Sequence, residues 1–237
     1  GVQTCALPIS HEGRLPFDPL LLAEAAAGGV LFGLAALLFA EMTHGMGRLF
    51  RTAIRWPWLR PAVGGLVTIA LVLLLGTRDY LGLGVTAPGG GTSIVSAFQP
   101  DGAGWASWWW KMVFTAVALG SGFKGGEVTP LFFIGSTLGN RIGVLLGAPV
   151  DLFAGLGFVA IFAGAANTPL ACTIMGIELF GADAAPYLAV ACFVANLVSG
   201  HSGIYPSQRI GTPKVGSEAP AASLRLLRES RQARRED

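Results

Sequence analysis

The stretch Gly122 to Pro130 reads GFKGGEVTP and is followed by the apolar run LFFIGSTLGNRIG. Because proline is favoured in the first turn of a helix, we predict a glycine-rich loop that leads into the amino end of a helix here. The first turn of a helix leaves N–H groups unpaired at the positive end of the helix dipole, and glycine lets a ligand approach the backbone closely. The stretch therefore predicts an anion site that contains a carboxyl group.

Glu127 is the residue of this stretch that can exchange a proton beside a bound anion. An ionised carboxylate at the amino end of a helix competes with an anion for the same place, whereas a protonated carboxyl is a hydrogen-bond donor beside the anion. Proton and anion occupancy would then be linked through Glu127. The alternative is that Glu127 only caps the helix or pairs with Lys124, and the residues alone leave the two interpretations equal.

Composition indicates that this site lies in a membrane protein. The chain has 237 residues, of which 52% are hydrophobic and 13% are charged, and its mean hydropathy is +0.59. Ordinary water-soluble domains carry about 25% charged residues. The 34 glycines are typical of membrane helices that approach each other closely, although a plain bundle with flexible glycines remains an alternative.

The apolar segments predict helices, and several are too short to cross a bilayer, which takes roughly 20 residues. The predicted segments are Leu20 to Ala40, Pro61 to Gly76, Trp105 to Gly120, Val128 to Leu146, Leu152 to Phe180 and Tyr187 to Val198. The fifth is interrupted at Ala165-Ala166-Asn167-Thr168-Pro169, where we expect Asn167 to satisfy backbone groups. Such interruptions predict an all-α membrane protein with broken, tilted and re-entrant helices, whose irregular backbone is buried or lines a wet cavity.

The remaining polar and reactive residues give few further sites. Cys172 and Cys192 lie in apolar segments, where cysteine behaves as a small hydrophobic residue. His44 and His201 are isolated and show no metal-ligand spacing, so we expect no metal and no cofactor. Glu178 near a helix end is interpreted as structural. Seven of the 16 Lys and Arg residues follow Tyr205, which predicts a basic tail on the cytoplasmic side.

Four stretches together resemble the CLC family of chloride channels and anion/proton antiporters. Gly126-Glu127-Val128-Thr129-Pro130 resembles the family's signature Gly-x-Phe-x-Pro. Ala166-Asn167-Thr168-Pro169-Leu170, continuing to Glu178, is similar to a later helix of the family. Gly200-His201-Ser202-Gly203-Ile204-Tyr205 resembles the segment that presents an anion-coordinating tyrosine, and Tyr80-Leu81-Gly82-Leu83-Gly84 resembles a loop before shorter helices. The resemblance covers roughly Asp18 to Gly211 and implies a CLC-type fold.

Two departures from the signature point to the fluoride-exporting branch of that family. Val128 replaces the usual phenylalanine, and Glu127 stands where an apolar residue is normal. The resemblance implies a fluoride/proton antiporter, and fluoride, a small and strongly hydrated anion, needs dense donors to replace its water. A chloride or other halide carrier, or a channel, is the alternative within the family. An intramembrane enzyme using Glu127 or His201 is a remote one, since no nucleophile or paired-carboxylate spacing supports it.

The resemblance also implies roles for particular residues. The backbone amides of Glu127 and Val128, together with that of Thr129, line the anion site, and Gly126 allows close approach. Thr129 adds a hydroxyl, Tyr205 donates its phenol, and Glu127 carries the coupled proton. For Tyr205 the alternative is an interfacial aromatic residue near the tail.

The resemblance finally divides the chain. We expect residues 1–10 to be non-native sequence derived from a sequencing adapter, because codons for Gly1 to Ile9 spell such an oligonucleotide. Residues 11–211 resemble the carboxyl-terminal half of the transport domain, the second of two inverted-topology repeats, and residues 212–237 form the basic tail. The family's other two signatures have no counterpart here, so this chain alone should not transport. Expected partners are fluoride or chloride, protons, membrane lipid and a second copy in a homodimer, and no nucleic acid.

Overall fold

The computed structural model describes residues 17–87, 89–201, 203–205 and 207–209, together with Lys214 and Leu224. The segment 1–10 predicted to be non-native, most of the tail and Ser202 of the tyrosine motif lie outside these residues. The described chain forms seven α-helices and two short 3-10 helices, at Ser96–Phe98 and Ala182–Ala184. The α-helices are α1 Pro19–Ala53, α2 Leu59–Leu75, α3 Ser107–Ser121, α4 Val128–Leu146, α5 Val150–Ala166, α6 Pro169–Phe180 and α7 Ala185–Val198. The predicted all-α class is confirmed.

The helix α1 is much longer than the apolar segment that predicted it. Asp18 caps its amino end by accepting a hydrogen bond from the Leu20 amide at 2.9 Å, and Pro19 occupies the first turn. At 1.5 Å per residue, its 35 residues span about 52 Å, more than the ~30 Å of a bilayer core. A helix of this length is tilted in a membrane or extends beyond its apolar core. Within the described residues it alone is both long and apolar enough to span, with a mean hydropathy of 2.0.

The break predicted inside the fifth apolar segment lies at the predicted place. Helix α5 ends at Ala166, and Asn167 adopts a left-handed conformation with φ 57°, the one non-glycine positive φ among the described residues. Asparagine tolerates this conformation better than most residues. Helix α6 then begins with Pro169 at its first position, so two short helices replace one span.

Glycines bring α4 and α5 into backbone contact. A Cβ added at Gly135 would lie 2.0 Å from the Gly157 carbonyl oxygen, and one added at Gly139 would lie 2.0 Å from the Phe153 carbonyl oxygen. These glycines therefore serve close packing rather than flexibility. The crossing holds the middle of α4 against α5, most of whose residues are buried.

Candidate functional site

The GFKGGEVTP stretch forms the predicted loop and helix start. Helix α3 ends at Ser121 with Gly122 in a left-handed conformation, φ 102°, and the residues from Gly122 to Gly126 are exposed. Helix α4 begins at Val128, and its first turn is closed by the Leu131 amide, which donates to the Glu127 carbonyl oxygen at 3.2 Å. A Cβ at Gly126 would meet nothing within 4 Å. The backbone at the amino end of α4 is therefore open to a ligand.

Glu127 occupies the N-cap position of α4, with φ −94° and ψ −19°. Its side chain makes no capping hydrogen bond, although carboxylates commonly cap helices by accepting from the first-turn amides. Lys124 is exposed, and the described part of the chain contains no ion pair between the two side chains. The half-buried carboxyl of Glu127 is thus left available for a proton or for a ligand at the helix end.

The first-turn amides of α4 have no acceptor within the helix, as at any helix start. Val128 and Thr129 are half-buried, whereas Pro130 is buried and has no amide hydrogen to offer. That the amides of Glu127, Val128 and Thr129 and the Thr129 hydroxyl bind an anion stays a prediction.

Tyr205 lies on the loop that follows α7 and is 43% exposed. It lines a cavity of about 470 Å³ at the break between α5 and α6. The cavity is lined by Phe162, Ala166, Thr168, Ala171, Cys172, Met175, Tyr205, Ser207 and Gln208. The anion-binding role of the Tyr205 phenol stays a prediction.

The structure does not bring all predicted site residues into one cavity. None of Gly126, Glu127, Val128 and Thr129 lines the cavity of Tyr205. Helix α4 and the surroundings of Tyr205 nevertheless share core packing. Ile204 belongs to the same buried cluster as Leu131 of α4, and Phe162 of the cavity wall contacts Phe132 of α4 edge to face, with ring centroids 5.6 Å apart.

The other residues noted in the sequence lie in surroundings that give them structural contacts or leave them exposed. The Asn167 side chain bonds Gln208 and Lys214 instead of satisfying backbone groups at the break as expected. Glu178 is exposed on α6, and Cys172 and Cys192 are buried free thiols. The His44 ring contacts the Gly203 carbonyl oxygen at 3.1 Å. Among the described residues, no group of three His, Cys, Asp or Glu side chains could hold a metal ion.

Two lysines were missed by the sequence reasoning. Lys111 on α3 is 1% exposed; its ammonium donates to the carbonyl oxygens of Tyr80 and Gly82 at 3.1 and 2.7 Å and lies 5.1 Å from the Phe133 ring centroid. Lys214 of the tail binds the ends of α5 and α7. The signal for Lys111 was present, since a charged residue inside an apolar segment is a candidate for a functional or structural role.

Comparison with known proteins places this arrangement in a family. Residues 3–200 match the family model described as voltage gated chloride channel. Over 188 residues, 79% of this chain, the sequence is 52% identical to a chloride/fluoride channel protein of Pseudomonas syringae pv. tomato, of which it covers 41%. It is 30% identical over 196 residues to a voltage-gated ClC-type chloride channel ClcB of Salmonella dublin, of which it covers 44%.

A solved structure gives the same result for the fold. The crystal structure of a CLC-type fluoride/proton antiporter superposes with a TM-score of 0.75 at 33% identity, over 81% of this chain and 47% of that chain. The chain spans less than half the length of the proteins it matches, and the predicted CLC-type fold is confirmed. With the family model covering most of its length, the chain belongs to the voltage-gated chloride channel family, whose members are integral membrane transporters.

Proposed function

We propose that this chain is the carboxyl-terminal half of a proton-coupled fluoride exporter. The observation that carries the proposal is the amino end of α4, where the Glu127 side chain makes no capping hydrogen bond next to an exposed glycine-rich backbone. A carboxyl group that neither caps its helix nor pairs with Lys124 is available to exchange a proton with solvent and to interact with a ligand.

The chemistry of this helix end suits fluoride in particular. This helix end offers several strong hydrogen-bond donors to an anion, namely the amides of Glu127, Val128 and Thr129 and the Thr129 hydroxyl. The helix dipole adds partial positive charge. A protonated Glu127 contributes one more donor, whereas an ionised Glu127 repels the anion. Proton and fluoride occupancy of this helix end are therefore linked through Glu127 in this proposal. The opposite direction of the two ion movements is proposed from the similarity to a fluoride/proton antiporter.

Tyr205 supplies the second half of the anion path in this proposal. Tyr205 lines the cavity beside the α5–α6 break, and its neighbour Ile204 belongs to the same buried cluster as Leu131 of α4. An anion that leaves the α4 helix end would next meet the Tyr205 hydroxyl. The names of the relatives support fluoride as the ion, since the protein 52% identical is called a chloride/fluoride channel protein and the solved structure is that of a fluoride/proton antiporter.

Transport of chloride or another halide, by a channel or a carrier, is the second candidate. It is favoured by the similarity to the ClcB chloride channels, which reaches 30% identity over 196 residues. Against it stand Glu127 and Val128, because chloride is larger and less strongly hydrated and gains less from an extra carboxyl donor. An enzymatic role for His201 is disfavoured because its ring accepts a hydrogen bond from the Lys214 amide at 3.0 Å.

The proposal includes a location and an assembly. We place the protein in the bacterial plasma membrane, with the basic segment 212–237 in the cytoplasm, because positive flanks stay inside. We also propose a homodimer that uses α6 and α7. Both helices leave large apolar side chains exposed, namely Leu170, Ile174, Phe193 and Leu197, and such a face is covered by lipid or by a second copy.

A halide efflux experiment tests the proposed substrate. The full-length protein is purified and reconstituted in liposomes loaded with equal concentrations of fluoride and chloride, and ion-selective electrodes record both effluxes. We expect fluoride efflux to exceed chloride efflux at least tenfold. Equal effluxes, or faster chloride efflux, would contradict the fluoride assignment and favour the second candidate.

A further inference from the structure

The carboxyl ends of α5 and α7 meet at one polar cluster that the proposed transport mechanism does not use. Helix α5 ends at Ala166 with Asn167 as its C-cap, and α7 ends at Val198 with Ser199 as its C-cap. The last carbonyl groups of a helix lack intrahelical partners and lie at the negative end of the helix dipole. Hydrogen-bond donors stabilise the free carbonyl groups at two such helix ends, and a cationic donor also interacts favourably with the two dipoles.

Lys214 supplies that cation from the tail. Its ammonium donates hydrogen bonds to the Asn167 Oδ1 atom, to the Asn196 carbonyl oxygen at 2.6 Å and to the Gly200 carbonyl oxygen at 2.7 Å. Its backbone amide donates to His201 Nε2 at 3.0 Å. A lysine ammonium has three hydrogens to donate, so all three are used, and none of the acceptors is a carboxylate.

The Lys214 ammonium stays protonated at neutral pH although it is partly buried. Burial lowers the pKa of Lys214 to about 8, so the group remains mostly protonated at neutral pH and keeps its three hydrogens. The contact is therefore charge-assisted, which makes each hydrogen bond roughly twice as strong as one between neutral groups.

Gln208 fixes the same cluster from the other side. Its Nε2 atom donates to the Ala166 carbonyl oxygen at 3.1 Å, and its Oε1 atom accepts from Asn167 Nδ2 at 3.2 Å. Its backbone amide donates to the Tyr205 carbonyl oxygen at 3.0 Å. Together with the Ile204 amide, which donates to the Ala165 carbonyl oxygen at 3.0 Å, these bonds hold the loop on both sides of Tyr205.

We propose that Lys214 is a positioning residue for Tyr205: its ammonium joins the carboxyl ends of α5 and α7 to the loop 200–208 and thereby fixes where the phenol meets the anion. Asn167 is the shared element, because its side chain binds Lys214 through Oδ1 and Gln208 through Nδ2. The inference rests on the proposed function, since it assumes that Tyr205 contacts the transported anion. Lys214 itself touches no anion in this account.

A double-mutant cycle in the full-length protein tests the inference. Lys214→Met, Tyr205→Phe and the double variant are reconstituted in liposomes, and fluoride efflux rates are measured against fluoride concentration. If Lys214 acts through Tyr205, we expect each single variant to raise the KM for fluoride about tenfold. The KM of the double variant should then be no higher than that of Tyr205→Phe.

Two further variants serve as controls. Lys214→Arg, which keeps the charge, should recover most of the wild-type KM. Arg209→Met removes an exposed basic side chain of the same segment and should leave the KM unchanged.

The possible failures of this cycle have separate meanings. If Tyr205→Phe leaves the KM unchanged, the role of Tyr205 in the proposed function is wrong. If Tyr205→Phe raises the KM but Lys214→Met does not, or if the two effects multiply, Lys214 does not act through Tyr205 and the inference is wrong. Should Lys214→Met fail to give a monodisperse protein, Lys214→Gln keeps hydrogen-bond donors without the charge and is measured in the same cycle.

Discussion

At the residue scale, we propose that Glu127 links two ions because of its position at the N-cap of α4. A carboxylate at a helix N-cap lies at the positive end of the dipole, and the same field attracts a free anion. The two negative charges repel each other there. The Glu127 side chain does not cap α4, and in the proposed mechanism it takes up a proton so that an anion replaces the carboxylate charge.

Tyr205 gives a prediction at this scale. Tyr205→Phe removes one hydroxyl and leaves the ring, so the loop packing should survive. Because a hydrogen bond to a charged group contributes about 1.5–3 kcal/mol, we expect the KM for fluoride to rise about 10-fold or more, measured by efflux at varied fluoride concentration. Tyr80→Phe is the matched control, since the Tyr80 hydroxyl contacts the Ser107 hydroxyl at 3.4 Å. An equal effect of both variants would contradict a specific role for Tyr205.

The residues also show where sequence reasoning succeeded and where it stopped. The helix start at Glu127 and Val128 was predictable because glycine and proline in a short window mark the amino end of a helix. Lys111 and Lys214 were missed because their partners are distant in sequence: Lys111 binds the carbonyl oxygens of Tyr80 and Gly82, and Lys214 binds Asn167. A main-chain acceptor carries no sequence signal, so such contacts emerge only from the fold.

At the element scale, the contact between α4 and α5 fixes the helix that carries the proposed anion site. The two helices touch through glycine backbones, and their contact leaves no space for a methyl group at Gly135 or Gly139. Helix α4 therefore cannot slide along or turn against α5 without losing this contact. Rigid support of a binding helix is what a preorganised donor set needs.

Gly139→Ala tests this element directly. The new Cβ would lie 2.0 Å from the Phe153 carbonyl oxygen, and a backbone atom cannot rotate away as a side chain can. We expect a loss of about 3 kcal/mol or more in stability, seen as a lower thermal midpoint in detergent or as failure to give a monodisperse protein. Gly45→Ala on α1 is the control, because a Cβ there meets nothing within 4 Å. A Gly139→Ala protein as stable as wild type would contradict the proposed tight crossing.

Helix boundaries were predictable where the sequence carries strong helix start and stop signals. The start of α4 at Val128 and the break at Asn167 follow from proline, glycine and asparagine signals and were placed correctly. The end of α1 was not, since the helix runs to Ala53 instead of Ala40. Helical residues such as Glu41 and Met42 give no stop signal, and hydropathy alone ends a predicted span where polarity begins.

At the scale of the whole molecule, the described chain leaves some of its apolar surface without a partner. Helix α2 buries only Gly64, and Leu73 and Leu74 near its end are 77% and 78% exposed. Lipid covers such side chains in a membrane protein, and so does further protein. The chain spans less than half the length of the relatives it matches, and we propose that the remaining part of the transporter packs beside this half.

The global class was accessible from the sequence, whereas the arrangement of the site was not. Low charge, high hydropathy and short broken segments predict an all-α membrane protein, and the motifs around Pro130 and Tyr205 indicate the family. Whether Glu127 and Tyr205 share one cavity depends on how α4, α5 and the last loop pack. That packing includes a buried cluster to which both Ile204 and Leu131 belong, and no local pattern encodes such a cluster.

The central claim is that Glu127 carries the proton exchanged for fluoride, and one measurement tests it most directly. Full-length protein in liposomes is given an outward fluoride gradient, and a trapped pH dye follows proton movement for wild type, Glu127→Gln and the control Glu178→Gln, which changes an exposed carboxyl of α6. We predict that fluoride leaving wild type and Glu178→Gln liposomes drives protons inward, and that Glu127→Gln abolishes this proton movement. Proton movement in Glu127→Gln equal to that of wild type, at the same fluoride flux, would contradict the account.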